Sequence, residues 1–165
     1  LMQDGAGNTG RISGTATYLR VQRGRFQAEA ASVVTNAALM GGSALFGTKT
    51  TAGTLLNVWG GSHTTRRPFT TMNVYGGTLI VDVANAGAAS TINIYGGTVI
   101  LNAHGTTAIT AVNHFGGTLD PSRLTVDTVI TTYTRQYGAI FTARPNGAAL
   151  TLTNSIQKDP NIGAV

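Results

Sequence analysis

Four stretches of the chain repeat one pattern of apolar and polar positions: apolar, Asn, apolar, aromatic, Gly, Gly, Ser or Thr. They are Leu56-Asn57-Val58-Trp59-Gly60-Gly61-Ser62, Met72-Asn73-Val74-Tyr75-Gly76-Gly77-Thr78, Ile92-Asn93-Ile94-Tyr95-Gly96-Gly97-Thr98 and Val112-Asn113-His114-Phe115-Gly116-Gly117-Thr118. Their first glycines stand at 60, 76, 96 and 116, so the steps are 16, 20 and 20 residues. Weaker copies flank them at Met40-Gly41-Gly42-Ser43, at Tyr137-Gly138-Ala139-Ile140 and at Val21-Gln22-Arg23-Gly24-Arg25-Phe26. Self-similarity at a near-fixed period marks a repeat architecture.

Inside one repeat, Met72 and Val74 alternate with Asn73 and Tyr75, and Leu79 and Val81 alternate with Thr78, Ile80 and Asp82. A period of two is strand spacing. Gly76-Gly77 divides the strands and predicts a corner, because glycine admits backbone angles that a Cβ forbids. The repeat therefore reads strand, corner, strand, loose return. Such a unit buries its apolar face only against copies of itself. The predicted fold is all-β, a parallel β-solenoid of about 20 residues per coil. Seven or eight coils at roughly 4.8 Å each make a rod about 35–40 Å long.

Gly-Gly between strands is also a two-residue hairpin turn, so antiparallel hairpins are the rival architecture. The rival does not explain why residue identity is kept at matched positions. A solenoid does, by stacking like on like. It predicts one ladder of Asn57, Asn73, Asn93 and Asn113, a second of Trp59, Tyr75, Tyr95 and Phe115, and a third of Ser62, Thr78, Thr98 and Thr118.

The repeats occupy residues 48–157. Residues 1–47 are rich in Gly, Ala and Arg and only loosely periodic. They are expected to form an irregular capping or docking segment, since an open sheet end invites aggregation. Within them a helical turn over 28–38 competes with a strand, which Val33-Val34-Thr35 favours. Ser62 to Phe69 reads as an irregular insertion carrying Arg66-Arg67-Pro68. Residues 158–165 read as a tail. The chain opens Leu1-Met2-Gln3-Asp4 without a basic-then-apolar leader, and a leucine start suggests a truncated N terminus.

Composition narrows the function. The 165 residues fit one domain. With no cysteine, a disulfide framework and a thiolate metal site are excluded. Apolar runs fall short of the roughly 18 residues of a membrane helix, so no membrane partner is expected. Only 10% of residues are charged, against about 25% in an ordinary soluble domain. The net charge is +5, and nine of the eleven basic residues are Arg. Arg11, Arg20, Arg23 and Arg25 follow one another with no acid between Asp4 and Glu29. They form either a solvated face or a surface for an acidic partner. Arg20, Arg23 and Arg25 are the candidate docking residues, and no nucleic-acid motif accompanies them.

Candidate chemistry is sparse. Gly5-Ala6-Gly7-Asn8-Thr9-Gly10 matches the dinucleotide fingerprint, but that motif needs a strand before it and a helix after it. A flexible terminus explains it better. Six acids are present, and Asp82 and Asp120 lie two coils apart with Asn102 between them. That is roughly 9–10 Å, within the carboxyl separation of an inverting glycosidase. A polar strand end followed by an Asp120-Pro121 turn is the competing reading. His63, His104 and His114 share no column and show no metal-ligand spacing. His114 takes the apolar position of Val58, Val74 and Ile94, which suits a hydrogen-bonded structural histidine. No catalytic residue, cofactor or metal is assigned. The aromatic ladder either turns into the core at the glycine corner or points outward, where rings serve subunit association or sugar stacking. Ile80 and Ile100 point outward by the same alternation.

The repeated Asn-[Val/Ile]-Tyr-Gly-Gly-Thr-[Leu/Val] motif, seen at Asn73 to Leu79 and Asn93 to Val99, comes with threonine-rich spacers and low charge. Over about residues 48–157 this resembles short β-helix virion proteins of tailed bacteriophages, of the capsid-decoration and tail-accessory type. The resemblance implies a non-enzymatic structural role on a virus particle. It also implies a homo-oligomer, a trimer by analogy, with phage capsid or tail proteins as partners. Bacterial autotransporter passengers look similar, but they run to many more coils and end in a membrane barrel. Tail spikes that cut polysaccharide are larger and carry acid pairs. Two alternatives therefore stand behind the virion protein. One is a secreted or cell-surface adhesin or glycan-binding module. The other is a polysaccharide lyase or hydrolase that depends on Asp82 or Asp120.

Overall fold

A computed structural model describes residues 2–3, 9–48, 51–83, 90–105, 108–142 and 148–158 of the chain. Seventeen strands, and no helix, occur among the described residues. The odd-numbered strands are β1 (Met2–Gln3), β3 (Thr15–Val21), β5 (Val33–Leu39), β7 (Gly53–Val58), β9 (Phe69–Val74), β11 (Thr91–Ile94), β13 (Ile109–His114), β15 (Thr128–Gln136) and β17 (Leu150–Lys158). They form one sheet in that order. The even-numbered strands are β2 (Thr9–Ile12), β4 (Arg25–Ala28), β6 (Ser43–Phe46), β8 (Ser62–Thr65), β10 (Thr78–Val83), β12 (Thr98–His104), β14 (Thr118–Asp120) and β16 (Ile140–Phe141). They form the second sheet, again in chain order.

Pairing along both sheets is parallel throughout the repeat region. The chain thus crosses from one sheet to the other and back in each turn, a β-solenoid of about 7 turns roughly 20 residues apart. Antiparallel hairpins are excluded. Asn57 faces Asn73, Asn73 faces Asn93 and Asn93 faces Asn113 across neighbouring strands. Ser62, Thr78, Thr98 and Thr118 align in the same way in the second sheet.

The core runs down the axis between the sheets. Leu56, Met72, Ile92 and Val112 line it from the first sheet, and Leu79, Val99 and Leu119 from the second, all with 0% exposure. Each such side chain contributes about 1.5–3 kcal/mol. At the corner between the sheets, the second glycine of each pair takes a positive φ: 84° at Gly61, 72° at Gly77, 70° at Gly97 and 73° at Gly117.

The described part of residues 1–47 is irregular in sequence but regular in backbone. β2 to β6 continue both ladders in parallel register. Gly24 and Gly42 take the same positive φ, 77° and 71°. The register needs only inward apolar residues and a corner glycine. Leu19, Phe26, Ala37 and Ala44 meet the first need without matching one another in type. Residues 28–38 hold no helical turn, and Val33-Val34-Thr35 belongs to β5. Ser62 to Phe69 is not an insertion either. Its first four residues are β8, and the 16-residue step arises because the return, residues 66–68, is short. Of the expected tail, Lys158 closes β17 and residues 159–165 lie outside the described residues.

Candidate functional site

The alternation of β7, β9, β11 and β13 carries through the last residue into the corner. Asn73 faces out, Val74 in and Tyr75 out. The aromatic ladder therefore stands outside the core, with Trp59 49%, Tyr75 36% and Tyr95 46% exposed. Its rings stack coil on coil. Centroids are 4.0 Å apart for Trp59 and Tyr75, 4.9 Å for Tyr75 and Tyr95, and 5.0 Å for Tyr95 and Phe115. Interplanar angles are 11°, 5° and 13°. Exposed Met40 occupies the same corner one coil before Trp59, each N–H donating to a carbonyl of the preceding coil. Tyr137, the most exposed large apolar side chain described, stands at the last corner. The result is one apolar ridge along a single edge of the rod.

Stacking decides what the ridge offers. Each inner ring has both faces covered by its neighbours, so the stack presents ring edges. A sugar packs on a ring face, and only the outer faces of Trp59 and Phe115 are left for that. An edge-on ridge suits packing against protein.

Beside the ridge runs the asparagine ladder. Asn73 donates to the Asn57 side-chain oxygen at 2.9 Å, Asn93 to Asn73 at 2.8 Å and Asn113 to Asn93 at 2.8 Å. Asn93→Ala removes the two bonds on either side of the middle rung. At about 0.5–1.5 kcal/mol per bond, it should lower stability by about 1–3 kcal/mol in a urea melt. A change below about 0.3 kcal/mol would show that water replaces the ladder at no cost.

The three candidate docking arginines wrap the corner that precedes Met40. Arg20 is exposed on β3, Arg23 in the corner and Arg25 on β4. Arg25 also lines a shallow cleft of about 290 Å³ with Ser43, Leu45, Ser62, Thr64 and Arg66. Arg66 is held at the cleft's end by Asp82, Nε to Oδ2 at 3.2 Å. Ile80 and Ile100 face each other on the outer side of the second sheet, both half-buried.

The acid pair does not form as a site. The register shifts between Val81 and Asp82, so Asp82 pairs with Ala103, while Asp120 pairs with Ile100. The two acids stand in different columns. Asp82 accepts from Asn102 at 2.8 Å as well as from Arg66. Asp120 accepts from the Ser122 N–H at 2.9 Å, closing a turn. Burial pushes the Asp120 carboxyl up, but Ser122, Thr142 and Arg123 outweigh it and hold the group below its ordinary value. A general acid needs the opposite shift. In the glycine-rich fingerprint, residues 5–8 lie outside the described residues, and Thr9-Gly10 enter strand β2 where the motif requires a helix.

All three histidines are buried. His63 sits in the inward column of Leu79, Val99 and Leu119, and His114 in that of Val74 and Ile94. His114 bonds the Tyr133 hydroxyl through Nδ1 at 3.0 Å and the Gly117 carbonyl through Nε2 at 3.1 Å. His63 Nε2 donates to the Gly60 carbonyl at 2.6 Å, and its buried Nδ1 has no partner. Among the described residues, no three His, Cys, Asp or Glu side chains converge as metal ligands.

Burial lowers the pKa of both His63 and His114, with hydrogen bonds to Gly60 and Gly117 offsetting it only in part. The unfolded chain, with histidine near 6.5, then binds more protons than the folded one as pH falls. Stability is full above that value and is lost progressively below it, toward the depressed folded values. Melting temperature should fall between about pH 7.5 and pH 5. His63→Leu, which copies Leu79 in its column, should flatten part of that slope without loss of stability at neutral pH. An unchanged slope in His63→Leu would place the acid sensitivity elsewhere.

Sequence reasoning missed Arg67, which it placed in an insertion. Arg67 is 1% exposed and bonds four oxygens of the preceding turns, at Glu29, Ser32 and Gly47. The signal was available. His63, Thr65 and Arg67 continue the inward alternation of β8 past its end. No family model matches the chain, and neither a curated protein nor a solved structure does.

Proposed function

We propose that the protein is a non-enzymatic structural rod that works by protein–protein adhesion, as a capsid-decoration or tail-accessory subunit of a virus particle. The observation that carries this reading is the exposed aromatic ridge along one edge of a weakly charged rod. The side chains that could do chemistry are engaged elsewhere. Asp82 and Asp120 are tied into an ion pair and a turn, and the histidines are packed in the core. Large exposed apolar surface rimmed by polar residues is what interaction sites look like. The virion setting rests on the resemblance of the repeated motif.

The experiment is copurification with virus particles, followed by binding to isolated capsids and tails across a salt series. Retention on one of them, weakened by Arg20→Ala and Arg23→Ala, is the expected result. A chain that ignores particles at every ionic strength removes the virion reading. The second reading is an extracellular adhesin for acidic glycans, and the cleft between Arg25 and Arg66 favours it. Under that reading an acidic oligosaccharide binds the chain and Arg25→Ala abolishes the binding.

A further inference from the structure

We infer that the corner ridge is the contact surface for a second copy of this chain, packed antiparallel about a two-fold axis at the level of Tyr75. The inference shares its surface with the adhesive-rod reading but does not depend on the virion setting.

The ridge's column runs through eight successive corners among the described residues. In order they carry Gln22 with Arg23, Met40, Trp59, Tyr75, Tyr95, Phe115, Gln136 with Tyr137, and Lys158. The first seven match themselves when reversed about Tyr75. Tyr75 then meets Tyr75, Trp59 meets Tyr95, Met40 meets Phe115, and Arg23 meets the exposed ring of Tyr137. Ring against ring, thioether against ring and guanidinium against ring are all favourable contacts. A two-fold interface requires this kind of self-complementary patch.

Charge distinguishes this arrangement from a parallel one. A parallel association, such as a three-fold trimer about the rod axis, brings Arg20, Arg23 and Arg25 of every copy to one level, with no acid between Asp4 and Glu29 to offset them. The antiparallel pair separates the two clusters by six coils, about 29 Å. That is more than three Debye lengths at physiological salt, where the length is about 8 Å. At each end the cluster of one copy then lies toward Arg135 and the exposed Lys158 of the other, two cations where a parallel pairing sets three.

Six coil steps make the ridge about 29 Å long. Stable interfaces begin at roughly 1,000–1,200 Å² in total, which a ridge of this length reaches only together with the flanking asparagine and Ser/Thr columns. Area does not fix affinity, so association is followed over a wide range of concentration.

The chain supplies its own probes, having one tryptophan, Trp59, and no cysteine. Sedimentation of the full chain from about 1 to 100 µM should show mass rising to twice 17.0 kDa, with Trp59 emission shifting to the blue over the same range. Tyr75→Lys puts like charges on the axis and should weaken association at least tenfold, with an unchanged circular dichroism spectrum. For geometry, a short thiol crosslinker should join Met40→Cys to Phe115→Cys in a mixture. It should fail on Met40→Cys alone, whose two sites lie four coils apart. A strict monomer at about 100 µM, or efficient crosslinking of Met40→Cys to itself, overturns the inference. A dimer of the expected geometry that ignores virus particles leaves it standing and removes only the virion reading.

Discussion

Replacing Arg67 by alanine is expected to destabilise the fold by about 2–6 kcal/mol, because it takes the donor from buried carbonyls. The side chain is long, fully buried and forked, and every arm is used. Nε donates to the Gly47 carbonyl at 3.1 Å, Nη1 to the Ser32 carbonyl at 2.9 Å, and Nη2 to the Glu29 carbonyl at 2.8 Å and the Ser32 hydroxyl at 3.2 Å. These acceptors belong to returns of earlier turns, up to 38 residues away in sequence. One side chain thus gathers the carbonyls of loops that no strand pairing holds. The shortness of its own return, residues 66–68, helps to aim it inward, and Thr65 fixes the turn by donating to the Arg67 carbonyl at 2.6 Å. Alanine takes this donor from the Ser32 and Gly47 carbonyls, while the Glu29 carbonyl keeps the Ser32 N–H and hydroxyl, and each buried unsatisfied group costs about 1–3 kcal/mol. Burial lowers the guanidinium pKa from its usual value, yet arginine stays charged in proteins. Arg67→Lys keeps the charge but not the planar fork. It should recover less than half of the loss in a urea melt. Full recovery by lysine would mean that charge alone, and not the three-way clamp, holds these returns.

The inward position of Arg67 was readable from the alternation of His63 and Thr65, but its carbonyl partners were not. The solenoid was legible because like residues recur at matching positions, and ladders of Asn, aromatic and Thr require that recurrence. The direction of the rings followed from the same alternation once the corner was known to begin after Tyr75 and not before it. What identity could not supply was backbone register where identity is absent. In β2 to β6 the inward positions hold Ala37 against Leu56 or Phe26 against Ala44, so the columns vary in size while the pairing stays regular. The Asp82 and Asp120 pairing failed for a reason that the spacing does carry. Asp82 follows Gly77 by five residues and Asp120 follows Gly117 by three, so Asp120 falls in the column of Ile80 and Ile100, two positions before that of Asp82. The register shift after Val81 moves Asp82 one position further away. Buried polar groups such as His63 leave no mark on spacing, because their partners are backbone carbonyls that any residue supplies.

Gly97→Ala is the second substitution with a large expected effect, about 2–5 kcal/mol, and Gly138→Ala is its control. Both glycines have positive φ, 70° and 87°. The left-handed conformation alone costs a residue with a Cβ about 1–2 kcal/mol. At Gly138 nothing lies within 4 Å of the added carbon, so that conformational cost is all Gly138→Ala should show. At Gly97 the added carbon would stand 2.5 Å from the Gly77 carbonyl oxygen and 2.7 Å from the Gly76 carbonyl carbon. These are backbone atoms of the coil beneath, with no side-chain torsion to move them aside. The Gly77 oxygen is also fixed as acceptor of the Thr98 N–H at 2.8 Å, the bond that starts the next strand in register. Relieving the contact therefore means lengthening that bond or lifting one coil from the next. Overpacking of this kind adds about 1–3 kcal/mol. Paired urea melts isolate the stacking contribution, since the φ cost is common to both variants. If the two lose equal stability, the corner glycines serve the turn alone. If Gly97→Ala loses more, as expected, close approach between coils is a second and separate reason that the repeat keeps glycine there.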